Sequence, residues 1–515
     1  MKKFTRILSV LLVLALLPVC SIAQAEEDRS TWLVDEPVTV TIMRSQHANQ
    51  EILENTDMQD ELYRRTGIRV IIEPVLSDYT TKASTIISGG GDTMPDIMYG
   101  VSDAIYALNA PIGAFACLDD YPELVQDYLA AAQADVSYST MLIDGKNYSF
   151  NGMYRYADLY GRLFNIREDI LAETGMAVPT TFDELLEVLR AIKALHPDVY
   201  PVQNRVQSNS GTKNLLLCWA YALGSGFDSN GVYFDPDIDG GRYVYGPAHE
   251  NFLKVMEYLS TMYAEGLLDP DYALCSSQQW TENLSTGKGY GFYDNPKMAW
   301  TMESTLKTEN PDAVFIWVPL MENSFGQTRQ FMYRPHSYTR NVISADSPNV
   351  EACMKLLNYF FTEEGCDLIN FGVEGQNYTK VGDEYIINPD VAAEALTYSD
   401  AWRTFQSWNN LGSLGISIYI DNRNAFFTYD ERTLATFDAW RQVPWDEWPM
   451  MPILDSDDSD RVSNLLSSIN TQMIAAIDNC IMGEITLDEF KADQEKAIQM
   501  GALEIEEIYN KAIGL

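Results

Sequence analysis

The chain predicts an α/β fold built on a parallel sheet, and three observations carry that reading. Strands alternate with helices from Glu36 to about Gly100, no low-complexity linker or internal repeat divides the 515 residues, and the tail from Asn464 onward is helical. Alternating strands and helices imply parallel pairing with right-handed crossovers. A chain of this length holds two or three domains' worth of residues and can bury a sizeable core.

The elements follow in order. Lys2, Lys3 and Arg6 precede an apolar run, Ile7 to Val19, that is short for a bilayer span, and Ala23-Gln24-Ala25 supplies a small-x-small site. Residues 1–25 therefore read as a secretory signal peptide cleaved after Ala25. Cys20 opens the alternative of a lipid anchor, although Val19 stands where that motif wants a small residue. Val38, Val40 and Ile42 alternate with threonines as in a half-buried strand. A helical stripe runs from Ile52 to Arg65 and stops at Gly67; Ile68 to Val75 is nearly continuous, as a strand covered on both faces would be. A helix over Thr80–Ser88 ends in Gly89-Gly90-Gly91, and Met94-Pro95-Asp96-Ile97 leads into a third strand. This triple glycine follows a helix and spells no phosphate-binding motif.

Further along, Thr181 and Glu184 predict a capping box for a helix whose face is Phe182, Leu185, Leu186, Leu189 and Ile192. Asn251 to Glu265 reads as an amphipathic helix stopped by Gly266, and Val314 to Pro319 as a strand. Ser347-Pro348-Asn349 caps a helix with Cys353, Leu356, Leu357 and Phe360 on its face. In Thr362–Tyr378, two acids open a short helix, and Gly372 and Gly375 flank Glu374 at positions suited to φ > 0. That stretch is either a C-cap with a turn or a polar loop able to hydrogen-bond a hydroxylated ligand. Ser456 to Asp460 reads as a solvated acidic loop, Asn464 to Ile481 as a helix, and Ile485–Phe490 as the start of a last long helix with Met500-Gly501-Ala502 inside it.

The formal charge is −39, and loss of the three leader cations takes it to −42. Such a field opposes nucleic acid and anionic membrane surfaces, and neutral or cationic ligands fit it best. The plainer consequence is solubility. Six cysteines remain beyond the leader, Cys117, Cys218, Cys275, Cys353, Cys366 and Cys480, none in a C-x-x-C pair, so few or no disulfides are expected. No G-x-S-x-G or H-E-x-x-H occurs and there are only four histidines, so neither a metal site nor a cofactor is expected. Asp235-x-Asp237-x-Asp239-Gly240 imitates the start of a calcium loop, but Gly246 occupies the position of the bidentate acid, and the stretch reads as a turn. Among 74 acids a glycosidase pair is not excluded by counting, yet the strand–helix order is not that of an eight-fold barrel.

Several motifs point further. Gly90 to Ile97 ends in G-x-x-P-D-I style, Asp144-Gly145-Lys146-Asn147-Tyr148 precedes Leu163–Asp169, Tyr263 to Pro270 reads YAEGLLDP, and Ser285 to Gly289 forms an S-x-G-K turn. With TEEG…FGVEGQNY at 362–378 and the IMGEITLDEF…MG…IY tail, the chain resembles the large extracellular solute-binding proteins of ABC sugar importers. The resemblance is weakest over Tyr200–Gly246 and Pro389–Asp455. It implies a two-lobed, type II periplasmic-binding-protein-like fold with a ligand cleft between lobes and a helical C-terminal extension. The lobes would comprise residues 26–155 and 336–400 for the first, and 156–335 and 401–515 for the second. It further implies a secreted or surface-held monomer that closes on a sugar and delivers it to an ABC permease. The calcium loop that many relatives carry after the 182–192 helix is replaced here by ALHPDVYP.

Sugars are held by aromatic faces and by charged or amide groups on their hydroxyls. The chain has 10 Trp and 30 Tyr, with Trp402, Trp408, Trp440, Trp445 and Trp448 crowded before the tail. Arg44 ends the first strand, at the edge where open α/β sheets bind ligands. Tyr154 and Arg155 sit by the first lobe crossing, and His336 and Arg340 by the second. The expected ligand-binding residues are Arg44, Tyr154, Arg155, Trp219, Trp300, Arg340, Glu374, Trp402 and Trp408. The alternatives are the same fold holding a peptide or other solute, and a secreted carbohydrate-active enzyme.

Overall fold

A computed structural model describes residues 29–46, 51–135, 137–156, 160–207, 210–228, 230–294, 298–318, 320–329, 332–333, 336–398, 401–409, 418–431, 434–435, 437–438 and 451–515. The leader, with both readings of its cleavage, lies outside them. No described helix is long and apolar enough to cross a membrane.

Capping chemistry sets the first helix. Thr56 accepts from the Gln59 N–H while Gln59 accepts from the Thr56 N–H, and Gly67 at φ +72° ends the Asp57–Thr66 helix. The apolar Ile52 belongs to the preceding loop, because the reciprocal cap fixes a later start. Flanking this helix, Val38–Ser45 pairs in parallel with Ile68–Val75. The latter is an outer strand, so it alternates buried and exposed residues, with Ile71 44% exposed, and is not covered on both faces.

The first sheet has the order Tyr419–Asp421, Phe150–Tyr156, His336–Ile343, Ile97–Val101, Val38–Ser45, Ile68–Val75. It is mixed: His336–Ile343 runs antiparallel to both neighbours and the other pairings are parallel. The triple glycine therefore delivers Ile97–Val101 to an interior position. The second sheet orders Phe315–Trp317, Leu163–Arg167, Gly291–Asp294 and Val202–Gln203.

Each sheet has its own core. Val40, Ile42, Leu62, Phe150, Leu357 and Phe360 build the first; Phe164, Ile166, Leu185, Trp219 and Leu259 build the second, joined by Leu465, Ile469, Met473 and Ile505 of the C-terminal helices. Those helices are Ser456–Ile481, Leu487–Gln499 and Ala502–Ala512. The expected acidic loop at 456–460 is the first turn and a half of a helix: Asp455 caps it by accepting from the Asp458 N–H, and Asp457 and Asp458 sit at the positive end of its dipole. The expected single last helix is two, because Gly501 adopts φ +109° between them. On the Phe182–Leu195 helix only half of the capping box forms; Thr181 accepts from the Glu184 N–H, while Glu184 turns to the Thr180 N–H and hydroxyl.

Two passages between the sheets pair with each other, Tyr160 with Tyr333 and Gly161 with Met332. A third passage comes later than expected. Residues 401–409 and 418–431 stay with the first sheet, since Tyr419–Asp421 pairs with Phe150–Tyr156 and Phe405 packs with Phe371. The six described cysteines are all free thiols.

Candidate functional site

Strand direction locates the site. Val38–Ser45, Ile97–Val101, Phe150–Tyr156 and Tyr419–Asp421 share one sense, so their carboxyl ends line one edge, and the chain leaves for the second sheet there, after Tyr156. In open α/β sheets this edge is where ligands bind.

Five rings run from that edge to the second sheet. Tyr156 meets Phe426 at 6.1 Å between centroids, Phe426 meets Tyr429 at 6.0 Å, Tyr429 meets Phe437 at 5.4 Å, and Phe437 meets Trp317 at 5.5 Å. Trp317 is half-buried and closes the Phe315–Trp317 strand. These spacings are those of favourable tilted and edge-on aromatic pairs.

Beside Tyr156 lies a charged network. Arg155 donates from Nε to Asp421 at 2.8 Å and approaches Asp367 at 2.6 Å; Arg423 donates from Nε to the other oxygen of Asp421 at 2.9 Å. Asp421 is fully buried, so two guanidiniums supply its compensation. Burial works against the Arg155 charge, but Asp421 and Asp367 outweigh it and hold the guanidinium above the usual arginine range. Arg423 also covers the ring of Tyr156 at 4.7 Å and that of Tyr385 at 4.5 Å. A pocket of about 370 Å³ is lined by Arg155, Glu363, Lys380, Tyr385, Tyr419 and Arg423, among others.

The Thr362–Tyr378 stretch is the scaffold of this pocket. Thr362 caps the Glu363–Phe371 helix through the Gly365 N–H, and Asn377 accepts from the Val373 N–H at 2.7 Å. Gly372 and Gly375 take φ of +86° and +80°, and the chain turns into the hairpin Tyr378–Val381 and Glu384–Ile387. A C-cap and a turn form here, with Glu374 exposed on the turn. The hairpin brings Tyr385 onto Phe371, stacked at 4.0 Å, with its hydroxyl donating to Asp367 at 2.7 Å. Lys380 bridges Glu363 and Asp367.

Of the expected site residues, Arg155 enters this pocket. Tyr154, its neighbour, is half-buried, and burial pushes its phenol up to about 12. Trp402 donates to Asn424 at 2.9 Å, and Trp408 packs near Tyr398. Three others are buried. Trp219 is 1% exposed among Phe164, Phe182, Tyr258 and Tyr293, which leaves no ring face for a ligand. Arg340 is buried between Asp103 and Asn151, each at 2.8 Å. Arg44 lies sealed beside Tyr99 and Tyr79, where burial brings its pKa down to about 9, against the pull of both phenols. Trp300 is on the Met298–Glu309 helix, its side chain outside the described set, and Trp440, Trp445 and Trp448 lie outside the described residues.

Sequence reasoning missed Tyr156, Trp317, Asp421, Arg423, Phe426 and Tyr429. Four of the six fall where the motif match is weakest. The polar–aromatic run DNRNAFFTY after a short strand was the available signal. At the calcium-loop look-alike, Arg329 reaches both Asp235, at 2.8 Å, and Asp237, and Tyr233 donates to Asp235. The loop is a hairpin turn whose cation is an arginine.

Residues 58–367 match the family described as bacterial extracellular solute-binding protein. The chain is 26% identical over 335 residues to lipoprotein LipO of Bacillus subtilis, covering 62% of each chain, so the match spans less than two thirds of that relative. It is 23% identical over 380 residues to the polygalacturonan/rhamnogalacturonan-binding protein YtcQ of the same organism, covering 72% of this chain and 70% of that one. An HMO-binding, ABC-transporter-associated solute-binding protein from Bifidobacterium longum infantis shares the fold with a TM-score of 0.70 at 17% identity, over 93% of this chain and 99% of that chain.

Proposed function

The chain belongs to the bacterial extracellular solute-binding protein family, and from that premise we propose that it is the receptor of an ABC importer for a sugar or oligosaccharide. The observation that carries the reading is the row of rings from Tyr156 to Trp317, which spans from one sheet to the other beside a pocket of hydrogen-bonding groups. Aromatic faces suit the CH faces of pyranose rings, and carboxylates and guanidiniums suit their hydroxyls. The names of YtcQ and of the Bifidobacterium protein point to glycans as well.

Function then needs no bond-making. Ligand contacts made by both lobes favour the closed form, and the permease responds to that form. Tyr154 and Arg155 serve the first lobe's side of the cleft, Trp317 the second's. The protein acts as a monomer outside the cell, freed by cleavage after Ala25. LipO, named as a lipoprotein, supports the alternative of an anchor on Cys20, and mass spectrometry of the native N-terminus separates the two.

Thermal-shift screening of the mature chain against an oligosaccharide panel tests the reading. A ligand of the native state at a hundredfold excess over Kd adds about 2.7 kcal/mol of stability. A shift with the glycan recovered intact supports a receptor; a glycan recovered cleaved points to an enzyme; a shift with peptides alone transfers the fold to another solute.

A further inference from the structure

We infer that the site takes neutral glycans and rejects uronates, and that Asp421 sets this choice by holding Arg155 and Arg423. The inference deepens the carbohydrate-receptor reading and rests on it.

Three cations line the pocket, and each already has an anionic partner. Arg155 is paired with Asp421 and Asp367, Arg423 with Asp421, and Lys380 with Glu363 and Asp367. On the second sheet, at the end where the chain enters from the first, Arg205 is held by Asp294 at 2.7 Å and lies over Trp280 at 4.5 Å. A uronate carboxylate entering here finds no uncommitted guanidinium among these residues. It must compete with Asp421 and Asp367 for these cations, and each cation taken leaves a buried carboxylate with less compensation, which is costly. It also enters the field of a strongly acidic chain. A neutral sugar meets neither obstacle. Its hydroxyls can donate to the exposed carboxylates of Glu363 and Asp383 at the pocket wall, and accept from the remaining N–H groups.

Asp421 has this role because of where it sits. It ends the outer Tyr419–Asp421 strand, its N–H donates to Asn370 at 2.9 Å, Arg423 donates to both of its oxygens, and Arg155 shares Oδ2. Removing its charge while keeping its shape leaves Arg423 without its carboxylate and Arg155 with Asp367 alone at the pocket wall. The D421N variant therefore presents a cationic site to the same volume. Asp367, reached by Arg155, Lys380 and the Tyr385 hydroxyl, offers a second and less buried route to the same change.

The test is calorimetric titration of the full mature chain with two length-matched pairs: mannotetraose against tetramannuronate, and galactotetraose against tetragalacturonate, at low and high salt. The expected result is that a neutral member binds at least tenfold more tightly than its uronate, with little salt dependence. D421N, or D367N should D421N fail to fold, then narrows that ratio at least tenfold and makes uronate binding salt-sensitive. A merely structural aspartate would weaken both members alike and leave the ratio unchanged, which overturns the assignment. Wild-type preference for a uronate overturns the inference while keeping the receptor reading. Binding of none of the four removes the carbohydrate reading, and this inference falls with it.

Discussion

The same ingredients occur twice in this molecule. Around Trp219 in the second core, four aromatic rings enclose an indole, and in the 235–242 hairpin Arg329 is held by two aspartates. At the edge of the first sheet, a row of rings reaches Trp317, and Arg155 is likewise held by two aspartates. The first set is closed over; in the second, Arg155 lines a pocket and Tyr156, Phe426, Tyr429 and Trp317 stay half-buried. Residue type therefore says little about which set is sealed. What separates them is whether the packing leaves one face of the group uncovered.

That contrast can be broken by substitution. Trp219→Ala should cost about 3–5 kcal/mol, the usual price of an aromatic truncated in a sealed core, measured by chemical denaturation. Asp235→Ala leaves Arg329 buried with one carboxylate fewer and should cost about 3 kcal/mol, again without changing glycan affinity in the molecules that remain folded. Loss of affinity in either variant, with stability unchanged, would invert the comparison.

Smaller effects belong to the open region. Trp317→Ala should weaken glycan binding about tenfold, or about 1.4 kcal/mol, while its melting temperature falls less than that of the Trp219 variant. Unchanged affinity would remove the ring row from the site. Thr362→Ala deletes the cap of the helix beneath the pocket and should cost about 1 kcal/mol of stability, with the ratio of neutral to charged ligand affinities unaltered. A changed ratio there would mean that the helix, and not Asp421, positions the guanidiniums.

Much of the fold was readable because its signals are local. Gly67 and Thr486 act on their own helices through φ and a side-chain oxygen, and alternation at Val38–Ile42 needs only one covered face. Errors arose where a neighbour distant in sequence decides. Ile68–Val75 looks like an inner strand and lies at the edge, because it has one partner. The acidic run at Ser456 looks solvated and is helical, because Asp455 caps it and Val462 and Leu465 bury the next turn in the second core.

By itself, the order of residues determined the α/β class, the net negative charge, most helix ends and the family motifs, since each follows from short-range chemistry or composition. Tertiary structure alone decided which aromatics are sealed and which stay half-buried, and it paired Arg155 with Asp421 across 266 positions of chain. Burial and charge compensation depend on what the fold brings alongside, and no local pattern of residues encodes that neighbour.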